Sequence, residues 1–331
     1  MSEVKPKGIS RRQGNSSFRA ARLPVIASCA IALMILCAAD ISYAQKSNGG
    51  GRPVTIPVTL RHKADDALKI ALAATDLTVL ENGKPQQILS LRSTERLPIA
   101  LAILIQEDVV SSINNEIAPL GDYIRNLPEG SRVFVGYMGA GSLRVRQRWT
   151  SNTERAASSL RIPFGTASAA PFNPYVQIRE GLRRFESIPA GRRAMLVITD
   201  GLDISRGVSS SSPSQSIDLD RAIREAQRRS VAIYSFYAPT LGGTANTGGL
   251  LVSNAQGSLA RLTDDTGGRA FFQGTGAPVS FAPYLRDLTQ ALGNQYALTY
   301  LSTNPANGFN RIEVRTQVPE AKLEYPRGYA R

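Results

Sequence analysis

The chain has 331 residues, a formal net charge of +13, one histidine and two cysteines. Both cysteines, Cys29 and Cys37, lie within the first 44 residues, so the remainder excludes a disulfide framework, a thiolate nucleophile and a cysteine-based metal site. The single histidine, His62, lies in a polar stretch, and no serine follows a nucleophile-elbow pattern, which argues against a serine triad. We therefore expect a protein that is not an enzyme.

Residues 1–44 have the pattern of a signal peptide. Basic side chains precede the apolar run Leu23–Ala39, and Ser42-Tyr43-Ala44 has the small-x-small pattern of a signal-peptidase site. The apolar run is slightly shorter than the ~20 residues that span a bilayer. We expect a secreted or periplasmic protein, with an uncleaved N-terminal membrane anchor as the alternative.

The positive charge constrains the class of partner. The first 44 residues carry six basic and two acidic side chains, which leaves +9 on the rest of the chain. That charge favours acidic partners or peripheral association with an anionic envelope surface. The basic residues are scattered and are not interleaved with aromatic residues, so no nucleic acid partner is expected.

Residues 45–53 are predicted to be a flexible linker, and residues 54–96 a small N-terminal β-module. Asn82 and Gly83 stand between alternating apolar positions, and this dipeptide tolerates the positive φ angles of a tight hairpin turn.

From residue 97 to residue 301 the pattern changes to apolar strands alternating with amphipathic helices. A continuous apolar run is typical of a strand that is covered on both faces. This alternation predicts a doubly wound, mostly parallel sheet flanked by helices, with residues 302–331 as a C-terminal β extension. The best strand candidates are Pro98–Ile105, Arg192–Gly201 and Val231–Ala238, and helices are predicted over Ser112–Leu127, Tyr175–Ile188 and Ile217–Ser230.

Four segments together resemble the von Willebrand factor type A (VWA) family, and more closely its secreted bacterial VWFA-related subgroup. The resemblance covers residues 54 to 331. The segments are LVITDGLD at Leu196–Asp203, FGT at Phe164–Thr166, TGGRAFF at Thr266–Phe272 and QYALTYLSTNPANGFNRIEVRT at Gln295–Thr316.

The resemblance implies a metal-ion-dependent adhesion site, in which an Asp-x-Ser-x-Ser motif, a loop threonine and a later aspartate hold Mg²⁺ or Mn²⁺. Thr166 and Asp200 match the threonine and the later aspartate. The first motif departs from the pattern: whether it starts at Gln106 or at Asp108, a valine takes at least one hydroxyl position. The resemblance thus implies a degenerate site, in which a surviving cation would be held by Asp108, Ser112, Thr166 and Asp200.

The leading hypothesis is a metal-independent protein-binding module. In α/β sheets ligands bind beyond the carboxyl ends of the strands, so the contacts are expected from the loops there, including Gln106, Glu107, Asp203 and Arg206. The alternatives are a divalent-metal-dependent adhesion domain and a structural envelope component. No small-molecule substrate and no cofactor other than Mg²⁺ or Mn²⁺ is expected.

Overall fold

The structure is a computed structural model, and residues Gly51–Arg331 form one compact unit in it. The predicted signal peptide at residues 1–44 lies outside the described residues and stays a prediction. No helix in the described part of the chain is long and apolar enough to cross a membrane. The structure describes residues 51–62, 72–244, 249–272, 274–305 and 307–330.

Thirteen strands and six α-helices are present in the described part of the chain. The strands are β1 Arg52–His62, β2 Leu77–Glu81, β3 Lys84–Ser93, β4 Ala100–Gln106, β5 Arg132–Met138, β6 Leu143–Thr150, β7 Arg193–Thr199, β8 Ala232–Tyr237, β9 Ala270–Phe271, β10 Gln295–Ser302, β11 Phe309–Thr316, β12 Ala321–Glu324 and β13 Gly328–Ala330. The helices are α1 Ile117–Arg125, α2 Thr153–Ser158, α3 Pro174–Arg183, α4 Ile217–Arg228, α5 Gly249–Thr266 and α6 Ala282–Gly293.

A six-stranded mixed sheet, in the order β6-β5-β4-β7-β8-β9, carries the candidate site. β5, β4, β7, β8 and β9 pair in parallel, and β6 pairs antiparallel with β5. Alternate side chains of β4 enter two different apolar clusters, with Ile103 on one face and Leu104 on the other, and both are fully buried. Burial on both faces explains why this strand is a continuous apolar run.

A second sheet of seven strands has the order β12-β1-β10-β3-β2-β11-β13 and is antiparallel throughout. The predicted hairpin is confirmed: Glu81 pairs with Lys84, and Asn82 and Gly83 have φ angles of 50° and 79°. One face of this sheet buries an apolar cluster that includes Val58, Leu298 and Tyr300.

The predicted fold class, a doubly wound and mostly parallel sheet with small β additions at each end, is wrong. More than half of the strands lie in the separate antiparallel sheet, and the six-stranded sheet is mixed. β10 was expected in the parallel sheet, but it lies between β1 and β3. From Leu298 to Ser302 its side chains alternate between buried and partly exposed, which is the pattern of a strand with one covered face. Such a strand belongs in an antiparallel sheet, and β10 pairs there with strands that are distant in sequence.

An engineered disulfide tests the pairing of β1 with β10. Thr55 and Thr299 face each other, and their hydroxyl oxygens are 2.8 Å apart. Cross-strand neighbours at this spacing satisfy disulfide geometry. In a chain with Cys29 and Cys37 replaced by serine, Thr55→Cys with Thr299→Cys should lose both free thiols on mild oxidation, as counted by thiol titration.

The control pair is Thr55→Cys with Arg315→Cys. Arg315 is on β11, which pairs with β2 and β13 and not with β1. This pair should keep both thiols. Retention of both thiols by the Thr55 and Thr299 pair would contradict the pairing.

Candidate functional site

The candidate site lies where the carboxyl ends of β4, β7 and β8 meet at one edge of the six-stranded sheet. Parallel pairing brings these ends together. β4 ends at Gln106 and is followed by Asp108, while β7 ends at Thr199 and is followed by Asp200. Both carboxylates are buried, with exposed fractions of 0% for Asp108 and 2% for Asp200.

Donors from two segments bond the Asp108 carboxylate. The Gln106 side-chain amide donates to Oδ1 at 2.9 Å, and the backbone N–H of Gly242 donates to Oδ2 at 3.1 Å. The Thr199 hydroxyl in turn donates to the side-chain oxygen of Gln106, which fixes the direction of that amide. Each Asp108 oxygen therefore already accepts a hydrogen bond from the protein.

The Asp200 carboxylate is satisfied in the same way. The backbone N–H of Leu202 donates to Oδ1 at 3.1 Å. The hydroxyl of Thr240 donates to Oδ2, and the Thr244 hydroxyl lies 3.4 Å from the same oxygen. Hydroxyl protons point at the carboxylate here, where a cation would require the hydroxyl oxygens to face it.

The segment 240–244, which follows β8, closes over both carboxylates; we call it the covering loop. The backbone N–H of Leu241 donates to the carbonyl of Asp108 at 2.9 Å. A Cβ on Gly242 would stand 2.8 Å from Asp108 Oδ2, and one on Gly243 would stand 2.5 Å from Asp200 Oδ2. Only glycine at these two positions lets the backbone come so close.

Burial sets the electrostatics of the pair. Removal from water raises the pKa of Asp108, against the hydrogen bonds from Gln106 and Gly242 that lower it. Burial also raises the pKa of Asp200 to about 6, and the neighbouring Asp108 charge acts in the same direction. The Asp108 charge thus disfavours the ionisation of Asp200, and the hydrogen bonds from Thr240 and Leu202 only partly offset the rise in pKa.

Within the described residues, the other two predicted metal ligands form no hydrogen bond with Asp108 or Asp200. Ser112 is exposed in a 3₁₀ turn at Ser111–Glu116, and Thr166 is exposed with its hydroxyl 3.3 Å from that of Ser168. In the part of the chain described, no three acidic or histidine side chains group as a metal site. In this arrangement the Gly242 N–H and the Thr240 hydroxyl point at the carboxylates, and donors directed into the site in this way disfavour a Mg²⁺ or Mn²⁺ ion.

Glu107, predicted as a partner contact, is fully buried and holds a loop in place. Arg161 forms a bidentate ion pair with it, and the backbone N–H of Phe164 donates to it at 3.2 Å. The Arg161 guanidinium also lies 4.4 Å from the centre of the Phe164 ring. Glu107 therefore positions Phe164 at the surface and makes no surface contact of its own.

The remaining predicted contacts differ from each other. Asp203 is buried and accepts hydrogen bonds from the hydroxyls of Ser205 and Ser216, at 2.7 Å and 2.8 Å, so it fastens the loop after β7. Arg206 is exposed on that loop. Of the four predicted partner contacts, only Arg206 presents its side chain to solvent; Gln106 belongs to the buried network.

The sequence places the segment that begins at Thr240 among the loops at this edge, but sequence reasoning did not predict that it bonds the two carboxylates. Thr240 and Thr244 are buried at 0% and 4% exposure, and they supply the hydroxyls at Asp200. One available signal was a threonine close behind the carboxyl end of β8, followed by two glycines. Parallel strands deliver such residues to the same edge as Asp108 and Asp200.

No protein-family model matches the sequence. No curated protein matches it either.

Solved structures that are similar to the chain include VWA domains, the family that the sequence motifs resemble. A von Willebrand factor type A protein from Catenulispora acidiphila is 11% identical with a TM-score of 0.42, covering 86% of this chain and 75% of that one. The VWA domain of SpRpn10 is 13% identical with a TM-score of 0.34, covering 59% and 94%.

A third similar structure is an aerotolerance-related membrane protein from Bacteroides fragilis, solved with multiple mutations to serines. It is 13% identical with a TM-score of 0.36, covering 59% of this chain and 98% of that one. At these identities and TM-scores the likenesses transfer no function to this chain.

The raised pKa of Asp200 predicts a pH-dependent stability. Between pH 3.8 and about 6, Asp200 is protonated in the folded state and ionised in the unfolded state. The stability that the protonated carboxyl contributes is therefore fully present below pH 3.8 and is lost as the pH rises through about 6. In Asp200→Asn that loss is absent. The difference in unfolding free energy between variant and wild type should change by about 3 kcal/mol from pH 3 to pH 8, at ~1.4 kcal/mol per pKa unit.

Urea unfolding at a series of pH values measures this difference. The stability of Asp200→Asn relative to the wild type should rise with pH. A relative stability that stays flat or falls over this range would contradict a buried, destabilised carboxylate at position 200.

Breaking the ion pair between Arg161 and Glu107 should be costly, because Arg161→Met leaves a fully buried carboxylate with weaker compensation. Such losses are about 3–5 kcal/mol. The control is Arg315→Met, which removes the partner of Glu313 in an ion pair whose side chains are 66% and 44% exposed; it should cost less than about 1 kcal/mol. If urea unfolding gave the two variants equal losses of unfolding free energy, Arg161 would not be needed to stabilise the buried Glu107 carboxylate.

Proposed function

We propose that this chain is a non-catalytic protein-binding module that works without a divalent metal and acts in the periplasm or outside the cell. The observation that carries the proposal is the closed network at Asp108 and Asp200. Each carboxylate oxygen accepts a hydrogen bond from the chain itself, so the chain compensates both acids without a cation. Binding then falls to the loops around the network. The signal-peptide pattern at residues 1–44 supports the location.

Three large apolar side chains are exposed on the loops around the network. Phe164, Phe172 and Leu241 are 55%, 54% and 43% exposed, and each belongs to a loop that touches the buried network. Large exposed apolar side chains grouped at one edge are a feature of protein-binding surfaces. Aromatic residues in particular contribute much of the energy at protein interfaces.

Phe172 has a conformation that fits such a role. Its φ angle is 55°, in the left-handed region that bulky residues rarely adopt. Backbone strain of this kind is held in place by its surroundings and often accompanies function. Here the carbonyl of Phe172 accepts a hydrogen bond from the backbone N–H of Ile204 at 2.9 Å, which ties its loop to the loop after β7.

The cleft between these loops supports a protein partner over a small molecule. Phe172, Leu202 and Gly243 are among the residues that line it together with the two carboxylates. It has room for about one water molecule. Ligand pockets usually enclose several hundred Å³, so binding here would take place across the loop surface.

Site-specific photo-crosslinking tests the proposal. A benzophenone amino acid would replace Phe164 or Phe172, and in the control it would replace Phe309, which is 53% exposed on β11 of the other sheet. After irradiation in envelope extract, we expect one protein adduct shared by positions 164 and 172, and no such adduct at position 309.

A double variant of neighbouring loop residues tests whether the adduct comes from specific binding and not from chance encounters. Arg206→Ala together with Leu241→Ala should reduce the yield of that shared adduct several-fold, while the circular dichroism spectrum stays unchanged. If the three positions gave the same adducts in the same yield, binding through this edge would be wrong.

A further inference from the structure

An arginine-rich cleft lies at the opposite edge of the six-stranded sheet, where β7 begins and α3 and α4 end. Its volume is about 620 Å³ and it is open to solvent. We call it the arginine cleft. Its charged lining consists of Arg183, Arg193, Arg228, Arg229, Glu186 and Glu225.

Arg228 and Arg229 form ion pairs with the two carboxylates of the cleft. The buried Glu225 forms ion pairs with Arg228 and with Arg229. Arg229 also lies 3.7 Å from Glu186. These four side chains are therefore close to neutral as a group.

The other two arginines lack a carboxylate partner in the described part of the chain. Arg193 donates only to backbone carbonyls, that of Arg229 at 2.9 Å and that of Ile188, and its buried Nε finds no hydrogen-bond acceptor. Arg183 is exposed and forms no ion pair with a described residue. The cleft therefore holds an excess of two positive charges.

This excess is unfavourable for the protein alone. Burial and the neighbouring Arg229 charge both lower the pKa of Arg193. Its charged form is therefore less stable in the cleft than in water. Arg125 and Arg315, by contrast, are exposed and lie against Glu154 and Glu313. An anion in the arginine cleft would relieve the repulsion.

We propose that the arginine cleft binds a phosphate group. A guanidinium presents a planar fork of donors that matches phosphate oxygens, and such charge-assisted bonds are among the strongest in proteins. A phosphate monoester carries close to two negative charges at neutral pH, which equals the excess in the cleft. Arg183 and Arg228 would donate hydrogen bonds from the exposed part of the cleft. Arg193, which is partly buried in its lining, would contribute positive charge.

Calorimetric titration of the whole chain with inorganic phosphate tests this. Arg183→Gln removes one exposed guanidinium that bonds no described residue, so folding should be preserved. We expect the dissociation constant to rise about tenfold, the loss of one charged hydrogen-bonding group. The matched control is Arg311→Gln, an exposed arginine on β11 of the other sheet with the same change of charge, and it should bind as the wild type does.

Acetate titration provides the second comparison. Acetate carries one negative charge, so it would neutralise only one of the two excess positive charges in the cleft. Acetate should bind at least about tenfold more weakly than phosphate. Absence of heat with phosphate, or equal weakening by Arg183→Gln and Arg311→Gln, would overturn the proposal, since either result would mean that any affinity is general charge attraction.

Vesicles identify the source of the phosphate. Flotation with phosphatidylcholine vesicles, with and without phosphatidic acid, measures binding to a lipid headgroup. Binding that requires phosphatidic acid and is weakened by Arg183→Gln supports the cleft with a lipid as its ligand. Binding to inorganic phosphate alone, with the same dependence on Arg183, supports the cleft with a soluble ligand.

Discussion

A carboxylate that leaves water must find donors, and this requirement organises the carboxyl edge of the six-stranded sheet. Asp108 and Asp200 are both buried there, side by side. An unpaired buried charge is far more costly than a paired one. The chain meets the requirement with the amide of Gln106, the hydroxyl of Thr240 and backbone N–H groups, so the covering loop has to lie directly on the two acids.

Other features of this edge follow from that contact. Gly242 and Gly243 are required because any Cβ would collide with a carboxylate oxygen. Pro239 and Val110 are drawn together, with the Val110 N–H donating to the Pro239 carbonyl at 3.0 Å. With the network closed from within, the surface that remains is made by the surrounding loops. Glu107 holds one of these loops from below through Arg161.

The sequence predicts those parts of the structure whose contacts are local or whose burial is complete. β4 and β8 could be predicted because both faces of each strand are covered, and the turn at Asn82 because its φ angle needs such a residue. The antiparallel sheet could not be predicted, since contacts such as Thr55 with Thr299 join positions 244 residues apart. Asp108 and Asp200 could be placed at strand ends, but whether a cation or Thr240 compensates them depends on how the covering loop lies.

The most direct test of this account is a thermal melt with and without millimolar Mg²⁺ or Mn²⁺, on the wild type and on Asp200→Asn. A cation bound at about 100 times its Kd would add about 2.7 kcal/mol of stability. We predict no rise in the melting temperature of either protein, because the covering loop already supplies the donors. A rise in the wild type that disappears in Asp200→Asn would show that a metal ion takes the place of those donors, and it would contradict the account.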